Sequence, residues 1–345
     1  MSKTAVAGLD APLVQMAMGY FRSRALCAAA RLGVADALGD DERSIEALAA
    51  SCEADAPALY RLLRALASFG VVAESAEGRF VLQPLGRPLR KDQPDSVWAA
   101  VVFWADLLAD NWSDLTECVR SGQTSAALRP PGASSRWAED PQAPAIFRAV
   151  MGTAPAAAYM SIARAWDFSS ARVVADLGGG GGALIAAILE AHPHLRGMLV
   201  DRPSSIEQAR PRFAEGALAE RCELLAHDLR EGVPAGADVY ALKHVLHGFS
   251  DDGATAVLRH CRDALPPEGR VLIIEFVLPD VIDREDAELE QRLMSDLNML
   301  AVTGGKERSA GQWTALLRAA GLELSRVVPV DGDLVSIVEA TRAAA

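Results

Sequence analysis

The chain has 345 residues, room for two domains, and half of them are hydrophobic, so a sizeable core is expected. A net charge of −12 argues against a nucleic-acid partner, which would need a basic face. No apolar run is long enough to cross a membrane, no signal peptide is visible, and the five cysteines (Cys27, Cys52, Cys118, Cys222, Cys261) form no close pair; this predicts reduced thiols in a cytoplasmic protein and no zinc site.

Residues 1–95 read as short helices followed by a hairpin. A mostly apolar stretch, 16–37, has the character of a helix buried against another subunit. Ser44 opens a helix over 45–50. Asp55 is placed to cap, and Pro57 suits the first turn of, a helix on which Leu59, Leu62, Leu63 and Leu66 form one apolar stripe. After Gly70, residues 71–73 and 79–82 flank a loop containing Gly78, which predicts a hairpin. Two helices and a hairpin make a winged-helix pattern, used for DNA binding or for dimerisation. The region holds 11 Lys and Arg against 12 Asp and Glu, a net of −1. A DNA-reading module would be basic, so dimerisation is the better reading.

Residues 96–168 are expected to form a helical linker or substrate lid, broken at Arg129-Pro130-Pro131-Gly132. Most of its large side chains, among them Trp98, Phe103, Trp104, Trp112, Trp137 and Met160, read as core. Phe147 and Met151, four residues apart on one helix face, are the pair expected to line an apolar acceptor pocket.

From about residue 169 strands and helices alternate to the end. Strands are predicted over 173–176, 198–201, 223–226, 239–245, 270–276, 323–328 and 334–340. This alternation specifies an α/β fold with an open, doubly wound, mostly parallel sheet, which binds ligands at the carboxyl ends of its strands.

The strand 173–176 ends in Asp176-Leu177 followed by five glycines, Gly178 to Gly182, and then a helix-forming stretch. A strand, a glycine turn and a helix start let backbone lie directly against a nucleotide-like ligand. The second strand ends in Asp201, placed to accept from a ribose diol, and the third in His227-Asp228, where the acid can accept from an adenine amino group. No Gly-Lys-Ser/Thr follows, which argues against nucleotide hydrolysis. Asp176, Asp201 and Asp228 make an acidic rim that repels a pyrophosphate and suits a cation, favouring the sulfonium S-adenosylmethionine over a dinucleotide.

With those residues in place, the glycine segment resembles the first motif of the class I S-adenosylmethionine-dependent methyltransferases. Lys243-His244-Val245-Leu246-His247-Gly248-Phe249 resembles the catalytic segment (Lys-x-x-Leu-His-Asp-Trp) of the plant caffeate/flavonoid-type O-methyltransferases and their bacterial natural-product relatives. Glu275 in Ile274-Glu275-Phe276, Glu307 in Gly304-Gly305-Lys306-Glu307-Arg308-Ser309, and Asp296-Leu297-Asn298-Met299-Leu300 match further motifs of that branch, and the likeness spans nearly the whole chain.

The resemblance implies a Rossmann-like catalytic domain over 169–345, a linker or lid over 96–168, and a winged-helix dimerisation domain over 1–95 in a homodimer. It implies a metal-independent O-methyltransferase of secondary metabolism acting on a hydroxyl of an aromatic small molecule. His247 would be the general base, with Glu275 and Glu307 holding its tautomer and orientation. Asp176, Gly178, Gly180, Asp201, Asp228, Leu229 and Lys243 would contact S-adenosylmethionine, and Phe147, Met151, Asp296 and Met299 would line the acceptor pocket. The chemistry suits this: a phenol near pKa ~10 is poorly ionised at neutral pH, and an imidazole near ~6.5 can take its proton as the new bond forms. His244, three residues from His247, is read as structural and facing away. Asp251 and Asp252 are read as a helix cap rather than a metal site.

One departure stands out. The branch has an acid after the base, and this chain has Gly248. That leaves room for a same-fold enzyme that methylates nitrogen or carbon or has given up methyl transfer; a second rival, a winged-helix regulator that senses a ligand, rests on the N-terminal pattern and is opposed by its charge of −1.

Overall fold

Proline at its start and a left-handed glycine past its end delimit the first helix, Pro12–Arg31; Gly33 (φ 68°) follows it. The computed structural model describes residues 11–151, 156–282 and 286–343. They fall into two units: Met1–Ser113 with Pro130–Met151, and Asp114–Arg129 with Gly152–Ala345.

In the first unit the anticipated caps form. Ser44 accepts from the Ala47 N–H at the start of Ile45–Ser51, and Asp55 accepts from Ala58 at the start of Ala56–Ala67. Leu59, Leu63 and Leu66 are buried on one face of the latter helix. Strands β2 (Val72–Ala76) and β3 (Arg79–Leu82) form the expected hairpin, and β1 (Arg43–Ser44) adds to its other side, giving the order β1-β3-β2. Only Cys27, Ala29 and Ala30 of the first helix are buried; its apolar N-terminal half stands exposed.

The second unit is built on a sheet of β4 (Val173–Leu177), β5 (Arg196–Asp201), β6 (Cys222–Ala226), β7 (Val239–Lys243), β8 (Arg270–Leu278), β10 (Leu322–Pro329) and β11 (Val335–Arg342) in the order β10-β11-β8-β7-β4-β5-β6; the short β9 (Arg308–Ser309) pairs with β8. The run from β6 to β8 is parallel, and β11 and β10 are antiparallel. All seven predicted strands are present. The mainly apolar sequences of the central parallel strands β4, β5, β7 and β8 follow from helices covering both faces. Val174, Leu199, Ala241 and Leu272 pack with Ala183–Ala191 on one side; Ala175, Val200, Leu242 and Ile273 pack with Asp251–Ala264 and Ala310–Ala320 on the other. Among the described residues no helix is long and apolar enough to cross a membrane.

The segment 96–168, expected as one linker, is shared between the units. Residues 114–129 go with the second because helices Leu115–Ser121 and Ser125–Leu128 pack on Ala287–Val302. Ser125 Oγ donates to Asp114 (2.6 Å) and Arg129 to Ser125 (2.8 Å), closing that excursion on itself.

Candidate active site

The register of the parallel strands brings Asp176, Asp201, Lys243 and Glu275 to one end of the sheet. Just beyond β7 the chain turns sharply. His244 adopts φ 51°, a left-handed conformation uncommon for a residue with a side chain, and Leu246–Gly248 forms a single 3₁₀ turn. Glu275, fully buried on the neighbouring β8, holds this turn: its Oε1 accepts from the backbone N–H groups of Val245 (2.9 Å), Leu246 (3.0 Å) and His247 (3.3 Å).

His247 Nδ1 lies 2.8 Å from Glu307 Oε1, and Ser295 Oγ donates to the same oxygen at 2.8 Å. The Glu307 N–H donates to Asp296 Oδ1 (2.9 Å). A carboxylate on Nδ1 selects the tautomer with the proton there and leaves the Nε2 lone pair able to accept a proton. Burial alone would lower the pKa of His247; Glu275 and Glu307 outweigh it, and the net shift is upward. Burial works against ionised Glu275 too, but His247, His244 and the backbone donors hold its carboxyl below the ordinary range.

His244 does not face away from His247. The left-handed turn swings it back, so the two imidazoles stack with centroids 5.3 Å apart and planes 30° from parallel. Its Nδ1 lies 3.4 Å from Glu275 Oε2, and His247 Nδ1 is 3.6 Å from that oxygen. The ligating atoms of His244, His247 and Glu275 lie within 4.8 Å of one another, a spacing a metal ion can use, although His247 Nδ1 is already bonded to Glu307.

Arg308, which sequence reasoning passed over, is fully buried beneath this turn. It donates to the carbonyls of Leu246 (3.1 Å) and Phe249 (3.0 Å), pairs with Asp251 (3.0 Å) and lies over the Trp313 ring. Asp251 therefore does more than favour a helix start. Ser250 is the N-cap, and Asp251 in the first turn binds both Arg308 and Lys306. The available signal was Arg308's place in the motif around Glu307. Gly248 has open space where a Cβ would stand and no left-handed φ, so neither packing nor backbone requires glycine there.

Beside this cluster lies the glycine turn. Gly178 (φ 70°) donates to Val200 O, and a Cβ on it would meet Val245 at 2.8 Å. Gly180 donates to Asp201 Oδ2 (2.8 Å), tying the ends of β4 and β5 together, and has nothing within 4 Å of its Cβ position. Asp176 is buried, with Oδ2 on the Ile185 N–H (3.3 Å) and Oδ1 without a partner. Burial, with the Asp201 charge, lifts its carboxyl to about 7. Lys243 is half-buried with its Nζ over the Tyr159 ring, and burial lowers its pKa despite Asp333, Glu275 and Asp176. Leu229 is buried and lies within 4 Å of the Gly178 Cβ position. Asp228 follows β6, but both its oxygens are engaged by the Arg230 guanidinium, which holds its carboxyl well below the usual range.

Asp296 and Met299 share a face of Ala287–Val302, and burial raises the Asp296 carboxyl. Phe147 and Met151 belong to the first unit, on Ala143–Met151, where Phe147 packs against Phe103 (6.0 Å) and Trp137 (5.6 Å) and Met151 is exposed.

An orphaned buried carboxylate oxygen, a second acid and an open glycine turn fit a ligand rich in donors and positive charge, as S-adenosylmethionine is, and not a pyrophosphate. Comparison with known proteins agrees. Residues 112–323 match the O-methyltransferase domain and residues 14–92 the O-methyltransferase dimerisation domain. The chain is 37% identical to a phenazine O-methyltransferase of Lysobacter antibioticus over 96% of each chain. It superposes on a mitomycin 7-O-methyltransferase with a TM-score of 0.86 at 37% identity, covering 96% of this chain and 97% of the other. A neocarzinostatin-biosynthesis O-methyltransferase, crystallised with S-adenosylmethionine and 2-hydroxy-5-methyl naphthoic acid, matches at a TM-score of 0.79 and 32% identity over 93% and 96% of the two chains. The chain thus belongs to the S-adenosylmethionine-dependent O-methyltransferases that carry an N-terminal dimerisation domain.

Proposed function

We propose that this protein methylates a hydroxyl of an aromatic small molecule in natural-product biosynthesis, with His247 as the general base. The observation that carries this reading is the 2.8 Å contact between His247 Nδ1 and Glu307, in a turn pinned by three N–H bonds to Glu275. S-adenosylmethionine, when bound, supplies an electrophilic methyl group on a sulfonium.

The chain's own residues do the rest. His247 Nε2 takes the hydroxyl proton as the oxygen attacks, and Glu307 and Glu275 stabilise the imidazolium that results. The pinned turn fixes the direction of attack, and alignment supplies much of the rate in an in-line displacement. Asp201, bonded to the Gly180 N–H, would take ribose hydroxyls, and Gly178, Leu229 and Lys243 would make the further cofactor contacts. Asp176 offers its unpartnered oxygen to a cationic or donor group. Asp228 reads the adenine amino group only by sharing its carboxylate with Arg230. Asp296 and Met299, on one face of Ala287–Val302, flank the acceptor. We read His244, His247 and Glu275 as imidazoles around a shared carboxylate rather than a metal centre, because Glu307 already holds His247 Nδ1. The protein works as a cytoplasmic homodimer through its N-terminal domain, without nucleic acid or membrane partners.

The test is mass spectrometry with methyl-deuterated S-adenosylmethionine and a panel of phenolic, quinone and phenazine acceptors. An acceptor heavier by one labelled methyl, with fragmentation placing it on oxygen, is the expected outcome, unchanged by a chelator. With the identified acceptor, His247→Ala should lose about 10²-fold or more in kcat. A label on nitrogen or carbon would overturn the O-methylation reading, and an unimpaired His247→Ala would overturn the assignment of the base.

A further inference from the structure

The base has one more neighbour than its two carboxylates. Glu275 Oε1 is saturated by three backbone N–H groups, while Oε2 is buried with no hydrogen-bond partner. An ionised carboxylate oxygen shut off from water needs a donor. Two imidazole nitrogens lie close to it: His247 Nδ1 at 3.6 Å and His244 Nδ1 at 3.4 Å. His247 Nδ1 has its partner in Glu307 at 2.8 Å, whereas His244 Nδ1 is itself buried and unpartnered. Two complementary orphans face each other. The backbone accepts a cost to bring them together, because a residue with a side chain at φ 51° is held in a sparsely populated conformation.

We propose that His244 is a positioning residue for the base: in its Nδ1–H tautomer it donates to Glu275 Oε2 and stacks on His247, fixing the imidazole and moderating the charge that His247 sees. The proposal rests on His247 being the base. The charged groups facing the pair are Glu275 on β8, Glu307 ahead of β9 and Lys243 at the end of β7, and Arg308 bonds the turn through Leu246 O. With His244 donating, Glu275 Oε2 has a partner of its own. Without it, Oε2 faces His247 alone, the imidazolium is favoured, and the pH at which the base becomes neutral rises.

Two variants separate the donor from the backbone. His244→Gly and His244→Asn both tolerate a left-handed residue, and only the asparagine can place an N–H near the position of Nδ1. We expect His244→Gly to lose about 10-fold in kcat with little change in the KM for S-adenosylmethionine, and to shift the acid limb of kcat/KM to higher pH, the loss being smaller than the 10²-fold or more expected for the base itself because His244 acts through it. His244→Asn should stay near wild type in both. Histidine ¹⁵N spectra of the wild type should show His244 protonated on Nδ1. An unshifted limb with normal kcat in the glycine variant, equal impairment of both variants, or an Nε2-protonated His244 would each overturn the proposal. His247→Ala, run alongside, keeps the two readings apart: if it is impaired while His244→Gly is normal, the base stands and only the role of His244 fails.

Discussion

At the scale of single residues the site turns on how buried charge is balanced. His247 carries a raised pKa because Glu275 and Glu307 outweigh its burial. For His247 as the proposed base the working form is the neutral imidazole, so the rate should climb with pH through a value above the ordinary ~6.5 of a histidine. Glu307→Gln removes one of the two raising charges while keeping an acceptor for Nδ1–H. Its acid limb should move to lower pH, and kcat should fall about 10- to 100-fold because the imidazolium formed in the reaction loses its partner. A pH–rate profile of kcat/KM measures both, and a limb that stays in place would show that Glu307 does not couple to the base. Asp176 is the opposite case. Its carboxyl is raised to about 7, so the folded state holds a proton that the unfolded chain has released above about pH 4. Stability from this group is therefore lost between about pH 4 and 7 as pH rises. Asp176→Asn removes that penalty and should raise Tm at pH 8 by about 2–4 °C while weakening cofactor binding. Calorimetry with and without S-adenosylhomocysteine would measure the two effects, and a lowered Tm would mean the carboxylate is satisfied without ligand.

At the scale of elements, the turn that carries His247 is clamped from two sides, by Glu275 on its N–H groups and by Arg308 on its carbonyls. Arg308→Lys keeps the charge and loses the planar fork that reaches Leu246 O, Phe249 O and Asp251 together. Leaving buried carbonyls unmet should cost about 2–4 kcal/mol in urea unfolding. It should also lower kcat at temperatures where the variant is still folded; stability loss with unchanged kcat would make Arg308 a fold residue only. This clamp marks the boundary of what the sequence made legible. The central parallel strands could be read because they are mainly apolar runs, and the cluster of His247, Glu275 and Glu307 because sequence motifs carry those three residues. The contacts of His244 could not be read. Its offset of three residues from His247 in a segment leaving a strand implies a side chain facing away, and the chain instead turns left-handed at a residue that is not glycine. The burial of Arg308 could not be read either, since nothing local announces that a guanidinium will be covered by a ring 5.1 Å away. The division of 96–168 was equally hidden, because it follows from tertiary packing on Ala287–Val302 and not from composition.

At the scale of the whole molecule, the first helix poses the remaining physical problem. Leu13, Met16, Tyr20 and Phe21 are 79, 72, 63 and 66% exposed, and their spacing puts them along one side of Pro12–Arg31. Scattered exposed apolar residues need no explanation, but a contiguous stripe does. All of it but Leu13 lies in the segment that matches the dimerisation domain, which makes a second copy of this chain the natural cover. A two-fold interface would set the same stripe against itself, so each acidic substitution enters twice. In a chain already at −12, the paired change Met16→Glu with Tyr20→Glu brings like charges together in an apolar contact. Size-exclusion chromatography with light scattering should find two copies for the wild type and one for the double variant. The wild-type Tm should rise with protein concentration, and that dependence should vanish in the variant, because association stabilises by mass action. A wild-type monomer, or a variant that remains dimeric with an unchanged concentration dependence, would place the interface elsewhere and leave the exposed stripe to another partner.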